Sequence, residues 1–341
     1  MQRIKNCKIK NIRITIENPK IINNINYNLS FTNNIQQLSN CLKTNPELNS
    51  KLYENGIRNI TKDQNNSKKE EKVLKKFNID DYTIITQLGQ GSFGKIYLAR
   101  DSNKNIFSIK KILLSEELDV KSVIEEYNMC YNLCHPNIIK IMGINSSKLD
   151  KTTYVVYVLM EVGISDWNKE INSLKIKKLH YSESELINIL KQLVDACSFL
   201  QKNNISHRDI KPQNILVFPN KIYKLIDFGE ARIINDKEKD SISSIQYSLK
   251  GTELYMSPLL FNGLRSGQID VNHNVYKSDV YSLGLCMLYA AICTDKALFE
   301  IRRIISMEKI KNFIYSALKD NYSEILINII ISMLEIHEQN R

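Results

Sequence analysis

Between residues 82 and 112 apolar and polar positions alternate in short runs. "YTIITQLG", "KIYLAR" and "IFSIKKI" each read as a short strand, and "DSNKN" supplies the turn between the last two. They predict an antiparallel meander. The pattern then changes. In "SVIEEYNMCYNLC", Val123, Glu126, Tyr127, Cys130, Leu133 and Cys134 share one side of a helix that should stop at "HPN", because the residue before a proline disfavours helical backbone. "IIKIMGI" and "TYVVYVLMEV" predict two further strands. From residue 182 the chain is mostly helical. Ser182 and Glu185 form a capping box, followed by one stripe of Leu186, Ile189, Leu190, Leu193, Val194, Cys197 and Leu200. "VYSLGLCMLYAAI" and "YSEILINIIISMLEI" are again helical in character. Strands with one helix, then mostly helices, imply an α+β chain of two lobes.

Residues 1–80 break this texture. They are rich in Asn, Ile, Lys and Ser and show little periodicity, so they are expected to be a largely disordered extension, with a folded domain over 81–341. The chain carries a net charge of +10, and this segment holds most of it: 15 Lys or Arg against 7 Asp or Glu over 1–80, leaving 32 against 30 for the rest. A basic arm can attach to nucleic acid or an anionic membrane. The favoured reading is a solvated tail whose charge keeps it from collapsing, and no aromatic interleaving supports nucleic-acid binding. Seven cysteines stand at 7, 41, 130, 134, 197, 286 and 293. Cys130, Cys134 and His135 are the one metal-like grouping, but no second Cys pair completes four ligands; the thiols are expected to be small buried apolar groups. An odd count without a disulfide framework suits a reducing compartment. No apolar h-region or span of about 20 residues appears. The expectation is a soluble cytoplasmic protein, with the nucleus left open.

Three stretches carry chemistry. "LGQGSFGKI" holds Gly89, Gly91 and Gly94 in a G-x-G-x-x-G spacing, but the residues after Gly94 alternate and turn back as a hairpin instead of opening a helix, so the expectation is a flap whose amides approach phosphates. "HRDIKPQN" (207–214) packs two cations, a carboxylate and an amide between apolar runs. Eighteen residues after Asp209, Asp227 closes the strand "IYKLID" and is followed by Phe228 and Gly229; Asn214 lies five after Asp209. Two carboxylates and an amide oxygen form the hard-oxygen set that Mg²⁺ shares with nucleotide phosphates. Lys110 ends its strand and Glu126 is on the inward side of the next helix; if they meet in a cleft, the ammonium is fixed for phosphate oxygens.

Taken together, these residues resemble the eukaryotic protein kinase family. The match runs residue by residue through Gly89, Gly91, Gly94 and Ile96, then Lys110, then Glu126 nine before His135. It continues through His207, Arg208, Asp209, Lys211 and Asn214, Asp227 to Gly229, and "SDVYSLG" with Asp279 and Gly284, covering about Tyr82 to Arg341. The resemblance implies a small antiparallel β lobe with one helix (about 82–161), a hinge near 161–164 and a larger helical lobe (165–341). It implies ATP and Mg²⁺ as cofactors. Asp209 would take or orient the substrate proton, Lys211 would steady the transferring phosphoryl group, and Asn214 and Asp227 would hold Mg²⁺. Lys110, with Glu126, would clamp phosphates. The base would sit among Leu88, Ile96, Ser108 and Leu216, with backbone bonds from Glu161 and Gly163 behind Met160. The Lys211 form of the loop is similar to the serine/threonine branch, so the expected partners are protein substrates. Arg208 and Arg232 suggest a phosphate pocket for "KDSISSIQYSLKGT", with Ser241, Ser243, Ser244, Tyr247 and Ser248 as candidates and Ser248 matching the usual site best; an upstream activating kinase is then implied.

Three departures weigh against this. "GTELYMSPLL" keeps the substrate-loop Thr252 but reads Pro258-Leu259 where the family has Pro-Glu. That glutamate normally pairs with an arginine corresponding to Arg341, so either another acid takes over, Arg341 is wet, or the lobe is looser. The sequence also stops where the family continues into one more helix, which leaves open a truncated chain, a diverged but working enzyme, or a lobe that folds poorly. Ser108 puts a hydroxyl where the family has an apolar methyl. The alternative function is a pseudokinase or scaffold that binds ATP or partners without phosphoryl transfer.

Overall fold

The computed structural model describes residues 74–91, 94–234, 246–248 and 250–341. The expected meander is present as β1 (Thr83–Gly91), β2 (Gly94–Arg100) and β3 (Ile106–Leu114). With β4 (Ile141–Lys148) and β5 (Tyr154–Met160) they form one antiparallel sheet in the order β1-β2-β3-β5-β4. The two-residue period sorts its faces. Ala99, Ile109 and Leu159 pack with Phe77 and Phe107 on one side, while Ile112, Val156 and Val158 turn to the main core, which includes Val120, Tyr127 and Cys130 of helix α1 (Glu117–Tyr131).

Local signals explain where these elements depart from the sequence reading. Helix α1 starts five residues before Ser122; its N-cap, Glu116, makes no side-chain capping bond, so nothing in the sequence marked that start. It ends at Tyr131, leaving Leu133 and Cys134 beyond it. Cys134 is exposed, which corrects its expected burial, whereas Cys130, Cys197, Cys286 and Cys293 are buried thiols. Cys7 and Cys41 lie outside the described residues. Among the described residues no His, Cys, Asp or Glu cluster could hold a metal by itself. Strand β4 begins at Ile141, not Ile138. Ile138 and Ile139 are buried in the connection, where Ile139 N–H donates to Leu225 O at 2.9 Å and Leu225 N–H to Asn137 O at 2.9 Å.

The folded part also begins earlier than residue 81. Leu74 is buried, Lys76 bridges Ile144 in parallel, and Asn145 Nδ2 donates to Phe77 O at 2.8 Å. Residues 74–77 thus cover the free edge of β4, where an exposed ladder would invite pairing with another chain. The remainder of the extension, residues 1–73, lies outside the described residues.

The larger lobe is helical: α2 (Trp167–Lys177), α3 (Glu183–Lys202), α4 (Pro258–Arg265), α5 (Val275–Ile292), α6 (Lys296–Arg303), α7 (Met307–Leu318) and α8 (Glu324–Met333). The capping box at α3 is formed in both directions. Helix α5 is apolar and buried nearly all round, the signature of a central core helix. Short antiparallel pairs carry the loops: β6 (Ser165–Asp166) with β8 (Ile215–Phe218) and β9 (Ile222–Leu225), β7 (Ile205–Ser206) with β10 (Arg232–Ile233), and β11 (Gln246–Ser248) with β12 (Asp270–Asn272). No helix among the described residues is long and apolar enough to cross a membrane.

Arg341 is not wet, and among the described residues it forms no ion pair with a carboxylate. It is fully buried, its guanidinium sits 5.1 Å from the Tyr281 ring centroid, and Nη1 donates to Lys277 O at 2.9 Å. Nε and Nη2 have no hydrogen-bond partner among the described residues. Burial pulls its pKa down to about 10, against the opposing pull of Tyr281, Glu338 and Glu335. Leu259 meanwhile is exposed. A buried cation this poorly partnered contributes little, since its desolvation is not offset by a paired carboxylate. Arg341→Met is therefore expected to leave the melting temperature unchanged or raise it. A fall of several degrees would show that the stacked guanidinium is a net stabiliser.

Candidate active site

The catalytic loop is held from below. Asp279, buried in α5, accepts Ser206 Oγ at 2.7 Å and His207 N–H at 2.8 Å on Oδ2, and Arg208 N–H at 2.8 Å on Oδ1. His207 Nε2 meets Ile226 O at 3.0 Å and its ring lies 4.9 Å from that of Phe228. The loop after β7 and the loop after β9 are thereby fixed to each other. Arg208 and Asp227 both take left-handed backbone, φ 66° and 62°, a conformation that non-glycine residues keep only where their surroundings over-determine it.

Asp209 emerges from this frame with both carboxylate oxygens hydrogen-bonded. Oδ2 accepts Lys211 Nζ at 2.6 Å and Asn214 Nδ2 at 2.9 Å; Oδ1 accepts Thr252 N–H at 2.9 Å and Thr252 Oγ1 at 2.8 Å. Lys211 Nζ also donates to Thr252 Oγ1 at 2.6 Å. Burial pushes the Asp209 carboxyl up, but the bond and charge of Lys211, with Thr252, outweigh it and leave the pKa below the ordinary value. Asp209 is thus ionised at neutral pH and can accept a proton. Gly251 makes the Thr252 contact feasible. It has φ +106°, and a Cβ there would stand 2.6 Å from Arg208 O, so the substrate loop could not otherwise pass so close to the catalytic loop.

On the facing side, Lys110 Nζ pairs with Asp227 Oδ1 at 3.4 Å and lies 5.8 Å from the Tyr127 ring centroid. Glu126 adds a further charge that acts on the Lys110 ammonium. Glu126 is in the cleft. Its two carboxylate oxygens lie 3.7 Å from where a Cβ on Gly229 would stand, beside Asp227. Burial drives the Glu126 pKa up to about 7, with Lys110 opposing and Asp227 adding to the rise. For Lys110 burial pulls down, and Tyr127, Asp227 and Glu126 more than reverse it. The ammonium stays charged. Tyr127 did not stand out as a site residue in the sequence; its nearness to Lys110 comes from tertiary packing, and its ring merely read as part of the helix's apolar side.

Strands β2, β3 and β5 line the way to the hinge. Ile96 pairs with Lys110 across β2 and β3, and Ser108 pairs with Met160 across β3 and β5. Gly163 packs so tightly on β8 that a Cβ would come within 3.1 Å of Leu216 Cβ and Val217 O. Glu161 keeps its carboxylate away from the cleft, accepting Lys140 N–H at 2.7 Å and Lys224 Nζ at 2.7 Å. Leu88 is exposed at the lip, and around Gly89 there is open space where a Cβ would stand. Gly89 and Gly91 pair with Ile96 and Gly94 in the β1–β2 hairpin, which is the flap expected from the sequence.

Arg208 donates through Nη2 to the Ser248 carbonyl and to Ser248 Oγ, the latter at 3.2 Å. Arg232 is on β10, opposite Ser206. Ser241, Ser243 and Ser244 lie outside the described residues, as does the side chain of Tyr247.

The donor set suits the implied group. Asp227 offers carboxylate oxygen and Asn214 an amide oxygen, a small number of hard ligands of the kind that hold Mg²⁺ when phosphates complete its shell. Lys110 would supply the point charge for those phosphates.

Comparison with known proteins agrees with this geometry. The family described as "Protein kinase domain" matches residues 82–341. The chain is 35% identical over 205 residues to "Calcium-dependent protein kinase 6" of Plasmodium berghei, covering 59% of this chain and 12% of that protein. It is 31% identical over 270 residues to "Probable serine/threonine-protein kinase nek3" of Dictyostelium discoideum, covering 77% of this chain and 22% of the relative. To "Serine/threonine-protein kinase Nek3" of Oryza sativa subsp. japonica it is 30% identical over 268 residues, 77% of this chain and 42% of that one. The chain thus spans well under two thirds of each relative's length. With a match that takes in the sheet, the hinge, both loops and the helical lobe, the chain belongs to the protein kinase family, in its eukaryotic serine/threonine type.

Proposed function

We propose that this protein transfers the γ-phosphoryl group of ATP to serine or threonine hydroxyls of protein substrates. The observation that carries the reading is the convergence of Asp209, Lys211, Asn214 and Thr252 on one side of the cleft with Lys110 and Asp227 on the other. In the transfer the substrate oxygen bonds to the γ-phosphorus and the bond to the β-γ bridging oxygen breaks. ADP leaves, and the hydroxyl proton goes to Asp209 Oδ1 or Oδ2. Bound Mg²⁺, held by Asp227 and Asn214, would supply neutralising charge for the phosphates. Lys110 would orient those phosphates, and Lys211 would accompany the moving phosphoryl group, so that positioning and charge do most of the work. Thr252 Oγ1 is received as a substrate hydroxyl would be: it donates to Asp209 and accepts from Lys211. The test is transfer of labelled γ-phosphate from Mg·ATP to a general Ser/Thr protein substrate. A folded, nucleotide-binding protein that transfers none, even after treatment with an activating kinase, would instead be the pseudokinase or scaffold.

The same reading extends to control by phosphorylation at Ser248. Its support is Arg208, which already reaches the Ser248 hydroxyl from beside the catalytic aspartate. A phosphate there adds roughly −1.5 to −2 charges next to a guanidinium. An upstream kinase is expected to place label on Ser248 and to raise transfer several-fold. Ser248→Ala should keep the unphosphorylated rate and lose that increase; an increase that persists in the variant would move the control elsewhere. A cytoplasmic setting is proposed on chemistry alone, since the described cysteines are all free thiols.

A further inference from the structure

Among the described residues, the buried side-chain nitrogens without a hydrogen-bond partner are Arg341 Nε, Arg341 Nη2 and Arg302 Nε. All belong to guanidinium groups that sit against one ring, Tyr281, with Arg341 5.1 Å and Arg302 5.9 Å from its centroid. Buried polar groups are nearly always satisfied, so a cluster of exceptions calls for a reason. Arg302 is partly served, because its Nη2 donates to the carbonyls of Glu253, Leu254 and Met256. Arg341 is served far less. It is fully buried, and of its guanidinium nitrogens Nη1 alone has a partner among the described residues, Lys277 O at 2.9 Å.

The orphaned pair has a definite shape. Nε and Nη2 stand on one edge of the guanidinium with their N–H groups pointing the same way, the fork that receives the two oxygens of a carboxylate. The acids nearest to it do not fill it. Glu335 and Glu338 are close enough to pull on the Arg341 charge, but Glu335 Oε1 accepts Ile336 N–H at 3.1 Å and Glu338 Oε2 accepts Asn274 N–H at 3.0 Å. Position 259 brings no carboxylate either, being an exposed leucine. A water molecule could accept from the fork, yet it would leave the buried cation without a counter-charge, which is the costly condition. The depressed pKa of Arg341 reflects that cost.

We propose that the Nε–Nη2 edge of Arg341, beside Tyr281, is a binding site for a small carboxylate anion of about the size of formate. The anion gives both orphaned N–H groups an acceptor and supplies the missing counter-charge. Arg302, against the same ring, adds to the positive potential there. Enclosure sets the size limit: Arg341 is closed off from solvent, so the ligand enters through a local opening and must fit once the fold recloses. The site is separate from the cleft and needs neither nucleotide nor phosphoryl transfer.

The experiment is thermal melting of the whole chain in sodium formate and in sodium gluconate at equal concentration and ionic strength. Both anions carry one carboxylate, but gluconate is too large to be enclosed. At formate about ten times above its Kd, wild-type protein is expected to melt roughly 2–5 °C higher than in gluconate, the shift that such occupancy gives a domain of this size. Arg341→Met, which in gluconate should melt at or above wild type, is expected to show no such difference. Arg341→Lys keeps a charge but lacks the fork, and should lose the response as well. Equal melting of wild type in the two salts would mean that the corner holds water or stays dry, and would overturn the assignment. So would a formate response that persists at full size in either variant, since it would then arise elsewhere on the protein or from charge without the fork.

Discussion

Asp209→Asn is expected to lower labelled phosphoryl transfer by about 10²- to 10⁴-fold, the usual worth of a positioned acid-base group. The expectation comes from the bonding around the carboxylate. Four donors surround its two oxygens: Lys211 Nζ, Asn214 Nδ2, and the amide and hydroxyl of Thr252. They hold the negative charge in place and keep its pKa below the ordinary value, burial notwithstanding. An amide cannot take up the substrate proton, and its Nδ2 would have to face two of those donors, on the Oδ1 side the amide and hydroxyl of Thr252. Fold should suffer little. The Thr252 hydroxyl can turn to accept, which leaves one mismatched contact at roughly 1–3 kcal/mol, and Lys211 and Thr252 still bond to each other at 2.6 Å. Because the folded carboxyl titrates below its unfolded value, its share of stability is present above the unfolded pKa and is lost as pH falls through the folded one; the variant should lack that acid-side loss. The decisive comparison is transfer rate beside melting temperature. A variant that melts normally and works within threefold of wild type would remove Asp209 from the chemistry.

How much of the fold and site is legible in the sequence depends on the range of the interaction. The capping box of Ser182 and Glu185, the alternation in β1 to β3 and the glycine flap are local, and each formed as its residues indicated. The grouping of Asp209, Lys211 and Asn214 is also readable, because a few residues of one loop carry it. Long-range pairing is not. Nothing near Lys110 says that it will bond to Asp227, 117 residues away. Nor does the sequence around Ser108 reveal that its hydroxyl faces the hinge carbonyls. Edge coverage by Leu74 to Phe77 is hidden by the polar composition just before it, since the docking bonds are made by backbone and say nothing about side chains. The Leu259–Arg341 corner stands out as a mismatch, yet its resolution lies in aromatic stacking. Arg302 makes a similar choice nearby, sitting 4.8 Å from the Phe261 ring centroid and 5.9 Å from that of Tyr281, and donating to the carbonyls of Glu253, Leu254 and Met256.

Asp279→Ala is expected to be the most damaging single change to stability that still leaves the site residues themselves intact. Asp279 is buried in the first half of α5 and receives three donors, Ser206 Oγ and the amides of His207 and Arg208. Truncation leaves the two amides unsatisfied, each at roughly 1–3 kcal/mol; Ser206 Oγ keeps Val275 O at 3.4 Å as a weaker partner. The sum is a loss of about 3–5 kcal/mol, typical of breaking a buried charged network. In a domain of this size that corresponds to a melting temperature lower by roughly 6–20 °C. Asp279→Asn keeps one acceptor oxygen and should fall between the two. Burial pushes the Asp279 carboxyl above its ordinary pKa although His207, Ser206 and the Arg208 amide oppose it. Its contribution to stability is then greatest below the unfolded pKa and falls as pH rises through the folded one, a slope that Asp279→Ala should lack. Transfer should fall more than stability does, because Arg208 holds φ +66° next to Asp209 and relaxes once its amide is released. A variant that melts within 2 °C of wild type would show that the loop is held by its own contacts with Ile226 and Phe228, and that the aspartate in the core helix is not its anchor.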